Sequence, residues 1–140
     1  MAQRMNAQTP IPAASAESAA QSLIALCKMR RWNLLQQYAR LEIALRHKLE
    51  NPPKTFGAKV RAWIKLDPIA KRFERLITAR NLAAHALIRS VRIDDITFVV
   101  WEIADGANEL NCAKFDKPAL KAWTNELDCL LEEAIAVLAA

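Results

Sequence analysis

"DPIAKRFERLITARNLAAHALIR", Asp67 to Arg89, decides how this chain folds. Asp67-Pro68 is a helix-start signal, with an aspartate able to cap the first free N–H groups and a proline where its missing N–H costs nothing. Ile69, Phe73, Leu76, Ala83 and Leu87 then follow at helical spacing, which predicts one apolar stripe on a helix from Pro68 to about Arg89. Arg80 falls in that stripe where an apolar residue is called for. A guanidinium keeps its charge, so burial there demands a carboxylate, carbonyl, phosphate or water-filled groove.

The same pattern extends outward. "SAES" at Ser15 opens a long helix with a serine N-cap, and "ENPPK" closes it near Glu50, because two prolines cannot continue a helix and Asn51 before Pro52 is pushed out of the helical region. Leu34, Tyr38, Leu41, Leu45 and Leu49 form its stripe. The basic run "KMRRW", Lys28 to Trp32, marks a candidate break in that helix. A shorter helix is predicted from Phe56 to Leu66.

After Arg89 the apolar period shifts toward two. "ITFVVWEI", Ile96 to Ile103, reads as a strand, Asp105-Gly106 as a turn and "ELNCAKF" as a returning strand. Asp116-Lys117-Pro118 restarts a helix whose stripe is Leu120, Trp123, Leu127, Leu130, Ala134 and Val137. The expected fold is all-α, a bundle of four to five helices with a small β-hairpin before the last helix. Residues 1–14 read as a tail, and residues 15–140 as a single domain.

Composition agrees with a helical globule. Of 140 residues, 53% are hydrophobic and 25% charged, and only two are Gly, which disfavours turn-rich all-β designs. No apolar run reaches the ~18–20 residues of a membrane span. The first 14 residues lack the apolar core of a secretory signal, so a cytoplasmic protein is expected. Three cysteines, Cys27, Cys112 and Cys129, are odd in number and widely spaced, which predicts reduced buried thiols rather than disulfides or a metal site. No metal and no cofactor is expected, and the carboxylates of "NELDCLLEE" read as a surface face.

Asn81 and His85 are one helical turn apart and share a face, so the amide can orient the ring. Arg80 and His85 are separated by about 140° at ~100° per residue, flanking a groove rather than stacking. Leu82, Ala83, Ala84 and Ala86 around them are mostly small and permit close approach.

Arg80-Asn81-x-x-x-His85, preceded by "RFERLI" and followed by "AHA", resembles the R-x(4–6)-H motif of HEPN domains (higher eukaryotes and prokaryotes nucleotide-binding). The resemblance spans roughly residues 20 to 138, with the six-residue motif its distinctive part. One departure is Ala86, where a related subgroup often carries Gly.

The resemblance implies a small helical bundle that pairs as a homodimer, bringing two motifs to one cleft. It implies a metal-independent endoribonuclease of toxin or phage-defence type. His85 would act as general acid or base at the ribose 2′-OH and the leaving oxygen, Arg80 would hold the scissile phosphate, and Asn81 would orient either. Imidazoles move protons near neutral pH and guanidinium stabilises phosphate charge, so the chemistry suits the residues.

A formal net charge of +5 is compatible with RNA, and Arg46, Arg75 and Arg89 are the candidate RNA contacts. A nucleotidyltransferase-type antitoxin is a further expected partner. Two other readings compete. The chain could be a non-catalytic helical module that binds a partner protein or nucleotide. It could also be a structural bundle whose Arg80 is sealed by a glutamate of the first helix, such as Glu42. His47 reads as a residue that bonds the terminal carbonyls of that helix or favours its dipole. Trp32, Trp63, Trp101 and Trp123 read as packing residues.

Overall fold

The computed structural model describes residues 13–103 and 112–140. Its helices follow the local signals closely. Helix α1 spans Ala13–Lys48. It begins two residues ahead of the Ser15 cap and runs through Lys28 to Trp32 without a break. Leu34, Tyr38, Leu41, Leu45 and Leu49 are all buried, so their 4-3-4-4 spacing does face the core. The chain then turns through Asn51, which takes a left-handed φ of 48°, a conformation asparagine tolerates better than most residues.

Helix α2 spans Phe56–Leu66, capped by Thr55, whose side chain accepts from Ala58 N. Gly57 in its first turn lies against helix α3, Arg75–His85; a Cβ there would stand 3.1 Å from Ile77 Cγ2. That close approach sets Phe56 beneath the motif helix.

The stretch after Asp67 departs from expectation. Asp67 does cap, accepting from Ile69 N, but Pro68–Phe73 forms a 3-10 helix and α3 begins only at Arg75. The predicted stripe is therefore core only at its centre. Phe73, Leu76 and Ala83 are fully buried, while Ile69 and Leu87 are exposed.

At its other end α3 stops at His85, four residues short of Arg89. Ala86 adopts φ −70°, ψ 139°, and strand β1, Leu87–Ile93, begins at once. It pairs antiparallel with β2, Ile96–Glu102, from Leu87↔Glu102 to Ile93↔Ile96. Strand β3, Cys112–Phe115, pairs with the other edge of β2. The expected hairpin is thus a three-stranded sheet in the order β1-β2-β3. Two residues, Asp94 and Asp95, join β1 to β2 with φ of 50° and 64°, the double left-handed signature of a type I′ hairpin turn. The Asp105-Gly106 turn and the start of the returning strand lie outside the described residues, as does most of the tail.

Helix α4, Lys117–Ala139, is capped by Asp116, which accepts from Ala119 N at 3.0 Å. It packs along α1, burying Leu120, Leu127, Leu131 and Ala134. Arg30 bonds Thr124 and Asn125 across that seam, and Gln37 bonds Asp128 and Glu132. Arg72 and Arg75 pair with Glu133 and Glu126. The carboxylates of "NELDCLLEE" do lie at the surface, with Glu126, Glu132 and Glu133 exposed, and from there they also pair with α1, with the 3-10 helix and with the start of α3.

The molecule is mostly helical, four α-helices with one small antiparallel sheet among the described residues. None of its described helices is long and apolar enough to cross a membrane. Aromatic packing joins sheet to helices: Trp101 and Phe115 meet Trp123 at centroid distances of 5.3 and 4.8 Å. Trp63 stacks on Phe73 at 5.3 Å. Trp32 is the exception among the tryptophans, 63% exposed. Only Cys27 of the three thiols is buried; Cys112 and Cys129 are exposed. Burial pushes the Cys27 thiol up to about 11 against the weak opposing pull of the Trp101 indole and Arg31, so it stays protonated and unreactive at neutral pH.

Candidate functional site

α3 is short, and its two faces divide cleanly. Leu76, Ala79, Leu82 and Ala83 are buried. Asn81 and His85 are exposed, and Arg80 is partly buried between the two faces.

Arg80 sits against aromatics. Its guanidinium carbon is 5.8 Å from the Phe56 ring centroid, a distance at which the ring face attracts a cation. Phe56 in turn meets Tyr38 edge-on at 5.3 Å. Burial drives the Tyr38 phenol far above its usual value, with the positive charges of Arg80 and Arg75 acting the other way. Tyr38 remains a neutral donor to Leu76 O at 2.9 Å, fixing α1 to the start of α3. Arg80 thus rests on a floor of Phe56 beside Tyr38. Among the described residues, no carboxylate lies within ion-pairing distance of it.

Glu42, the glutamate that sequence reasoning offered as its seal, is taken. Glu42 Oε2 lies 2.9 Å from Lys59 Nζ, and Lys59 also donates to Lys54 O at 2.9 Å. The buried ion pair of this helical layer therefore belongs to Lys59. That residue is 4% exposed, and the apolar pattern of α2 did not single it out.

His85 is the last residue of α3 rather than a mid-helix residue. Helix ends leave carbonyls without partners, and here one side chain collects them. Arg31 of α1 donates from Nε to Ala83 O at 2.7 Å, from Nη1 to Ala86 O at 3.0 Å and from Nη2 to Ala84 O at 3.3 Å. A cation on the negative end of the helix dipole is also electrostatically favourable. Arg31 is the residue sequence reasoning missed as part of the site. "KMRRW" looked like an interruption of α1, and nothing local shows that one of its arginines reaches 52 residues along the chain.

The helix ends by extending at Ala86, not by a left-handed turn, so no glycine is required.

Asn81 and His85 do share a face one turn apart and both project to solvent. Arg80 lies to one side, toward Phe56. The three motif residues therefore run from the middle of α3 to its last residue, with the arginine set against Phe56 and the histidine exposed.

The three candidate RNA contacts are not gathered around them. α1 and α3 run antiparallel, since Arg31 meets Ala83 to Ala86 while Tyr38 meets Leu76. Arg46, exposed in the last turn of α1, therefore lies beyond the opposite end of α3 from His85. Arg75 begins α3 and pairs with Glu126. Only Arg89, on β1 just past the motif, is near His85 in the chain, and its Nε is 3.6 Å from Glu102. His47 is exposed beside Arg46 and Lys48 in the last turn of α1, in keeping with a dipole role.

Comparison with protein-family models, with curated proteins and with solved structures finds no match for this chain.

Proposed function

We propose that this protein is a HEPN-like helical bundle that cleaves RNA without a metal, in a cleft shared by two copies, in the manner of toxin or phage-defence ribonucleases. The observation that carries this reading is the contrast within the motif. Arg80 is held on aromatics with no carboxylate beside it among the described residues, while His85 stands exposed at the end of the same helix. A guanidinium without a carboxylate partner among the described residues, on the same short helix as an exposed imidazole, suits phosphate binding combined with proton transfer.

In this reading Arg80 holds the non-bridging oxygens of the scissile phosphate. One His85 takes the proton from the ribose 2′-OH, whose oxygen attacks phosphorus. The leaving 5′ oxygen takes a proton from a second imidazole, and a 2′,3′-cyclic phosphate remains. One copy supplies one His85, so a second copy is the natural source of the second imidazole. Asn81 orients His85 or the phosphate, and Arg31 fixes the end of α3 where His85 stands. Of the outer arginines, Arg89 is the nearest in the chain to the motif and the best placed to meet flanking phosphates.

A second reading is favoured by Met29, Trp32 and Ile43 of α1, all exposed: a non-catalytic helical module that binds a protein, such as a nucleotidyltransferase-type antitoxin, or a nucleotide. The two separate in one experiment. Purified protein is incubated with RNA in EDTA beside the His85→Ala variant. The ribonuclease reading expects wild-type cleavage to fall by roughly 10²–10⁴-fold in the variant. Full activity in His85→Ala contradicts the assignment, and binding without cleavage by wild type favours the interaction module.

A further inference from the structure

Four carboxylates stand on α4, and the fold supplies a partner to each. Glu126 and Glu133 pair with Arg75 and Arg72, and Asp128 and Glu132 accept from Gln37. The same helix carries two cations, Lys117 and Lys121, and these are treated differently. Among the described residues neither has a carboxylate within ion-pairing distance. They stand one turn apart at the start of the helix. Like charges at that spacing repel, and cations are disfavoured at the positive end of a helix dipole.

Both lysines line one pocket. It lies where the first turns of α4 and the N-terminal half of α1 meet β2, and its volume is about 370 Å³. Small-molecule sites run from ~300 to ~1,000 Å³. Its apolar wall is Leu23, which is buried, and Leu26, which is partly so. Ser22 of α1 and Thr97 of β2 add hydroxyls. Arg92 donates from Nη1 to Thr97 Oγ1 at 2.9 Å. That contact uses an acceptor position of the oxygen and leaves its O–H to donate. No carboxylate lines the pocket among the described residues.

We propose that this pocket binds a small organic anion with an apolar body. Lys117 and Lys121 hold its carboxylate or phosphate head, Ser22 and Thr97 donate to that head, and the body lies on Leu23 and Leu26. An anionic head supplies the counterion that the fold withholds and relieves the repulsion between the two ammoniums. The hydrogen bonds it accepts from them are charge-assisted, the stronger kind. A body of several carbons removes leucine surface from water. Bare phosphate would leave the leucines wet, and a neutral hydrocarbon would leave the ammoniums without a counterion. Arg80, Asn81 and His85 do not line the pocket, so its occupancy stands or falls apart from RNA cleavage.

The test is a titration of the full-length protein with octanoate, octyl phosphate, inorganic phosphate and 1-octanol at millimolar concentrations, followed by amide chemical shifts. The expected result is saturable binding of octanoate or octyl phosphate that moves the amides of Ser22, Thr97 and Lys121 and leaves Asn81 and His85 in place. The tighter of the two identifies the head group as carboxylate or phosphate. Inorganic phosphate and octanol should each bind at least about 10-fold more weakly. Lys117→Gln with Lys121→Gln, both at exposed positions, should keep wild-type helical circular dichroism. The double variant should lose about 10-fold or more in affinity for the amphipathic anions, with octanol binding unchanged. Absence of saturable binding by either amphipathic anion overturns the proposal, as does full affinity in the double variant. Inorganic phosphate or octanol binding as tightly as the amphipathic anions, or shifts confined to residues outside the pocket, also overturns it.

Discussion

Lys59 and Arg80 are two cations set into apolar helix faces of the same layer, and they are treated in opposite ways. Lys59 is 4% exposed, with a carboxylate and a carbonyl each 2.9 Å from its ammonium. Its charge is neutralised inside the molecule. Arg80 is partly exposed and lies on the Phe56 ring, with no carboxylate in reach among the described residues. Its charge is positioned but not neutralised. A charged residue breaking an apolar pattern is therefore ambiguous by itself. What decides between a structural and a chemical role is whether the fold supplies its counterion.

The largest expected effect on stability comes from opening the sealed cation. Lys59→Met removes one partner and leaves the Glu42 carboxylate, whose side chain is 29% exposed, in a largely apolar setting. Breaking a buried pair typically costs 3–5 kcal/mol, and partial solvation of Glu42 should reduce this to about 2–4 kcal/mol, read by urea denaturation. The double variant Lys59→Met with Glu42→Leu should recover most of the loss. If the single variant is neutral, Lys59 is not sealed in the sense argued, and the contrast with Arg80 fails from that side.

Arg31 lies between the two extremes, being a cation satisfied by carbonyls. Arg31→Ala should cost about 2 kcal/mol, within the ~1.5–3 kcal/mol range for hydrogen bonds to charged groups. The backbone amides of His85 and Ala86 should exchange hydrogen faster, because the end of α3 loses its clamp. An unchanged exchange rate there would show that β1 alone terminates the helix.

Much of this fold can be read from short signals. The prolines after Glu50 and Asp116-Lys117-Pro118 each act over a few residues, and α1 ends and α4 begins close to where those signals place them. Strand β2 likewise follows its β-branched run. Strand β1 is different. "LIRSVRI" suits a helix end as well as a strand, and its conformation is decided by pairing with β2 through an Asp94-Asp95 turn that carries no glycine. The helix reading through Arg89 failed because a ladder hydrogen bond to a later segment outweighs local propensity. The 3-10 helix before α3 is equally silent in sequence, since Asp67-Pro68 signals a start without specifying its pitch.

The site was legible in the same uneven way. Arg80 betrays itself as a break in the stripe, and Asn81 and His85 as residues on one face. Their surroundings do not. Glu42 was a reasonable counterion by composition, yet Lys59 is nearer and takes it. Arg31 lies more than 50 residues upstream of the carbonyls it caps. Long-range partners of this kind are chosen by packing, and no spacing rule within the chain encodes them.

The most direct test of the central claim, that Arg80 is held available for an anion, is the paired measurement of stability and RNA cleavage in Arg80→Met. Methionine keeps the apolar reach over Phe56 and removes the charge. The account predicts stability within about 1 kcal/mol of wild type and cleavage in EDTA reduced by at least about 100-fold. A loss of several kcal/mol with cleavage per folded molecule unchanged would contradict it, and would place Arg80 beside Lys59 as a structural charge.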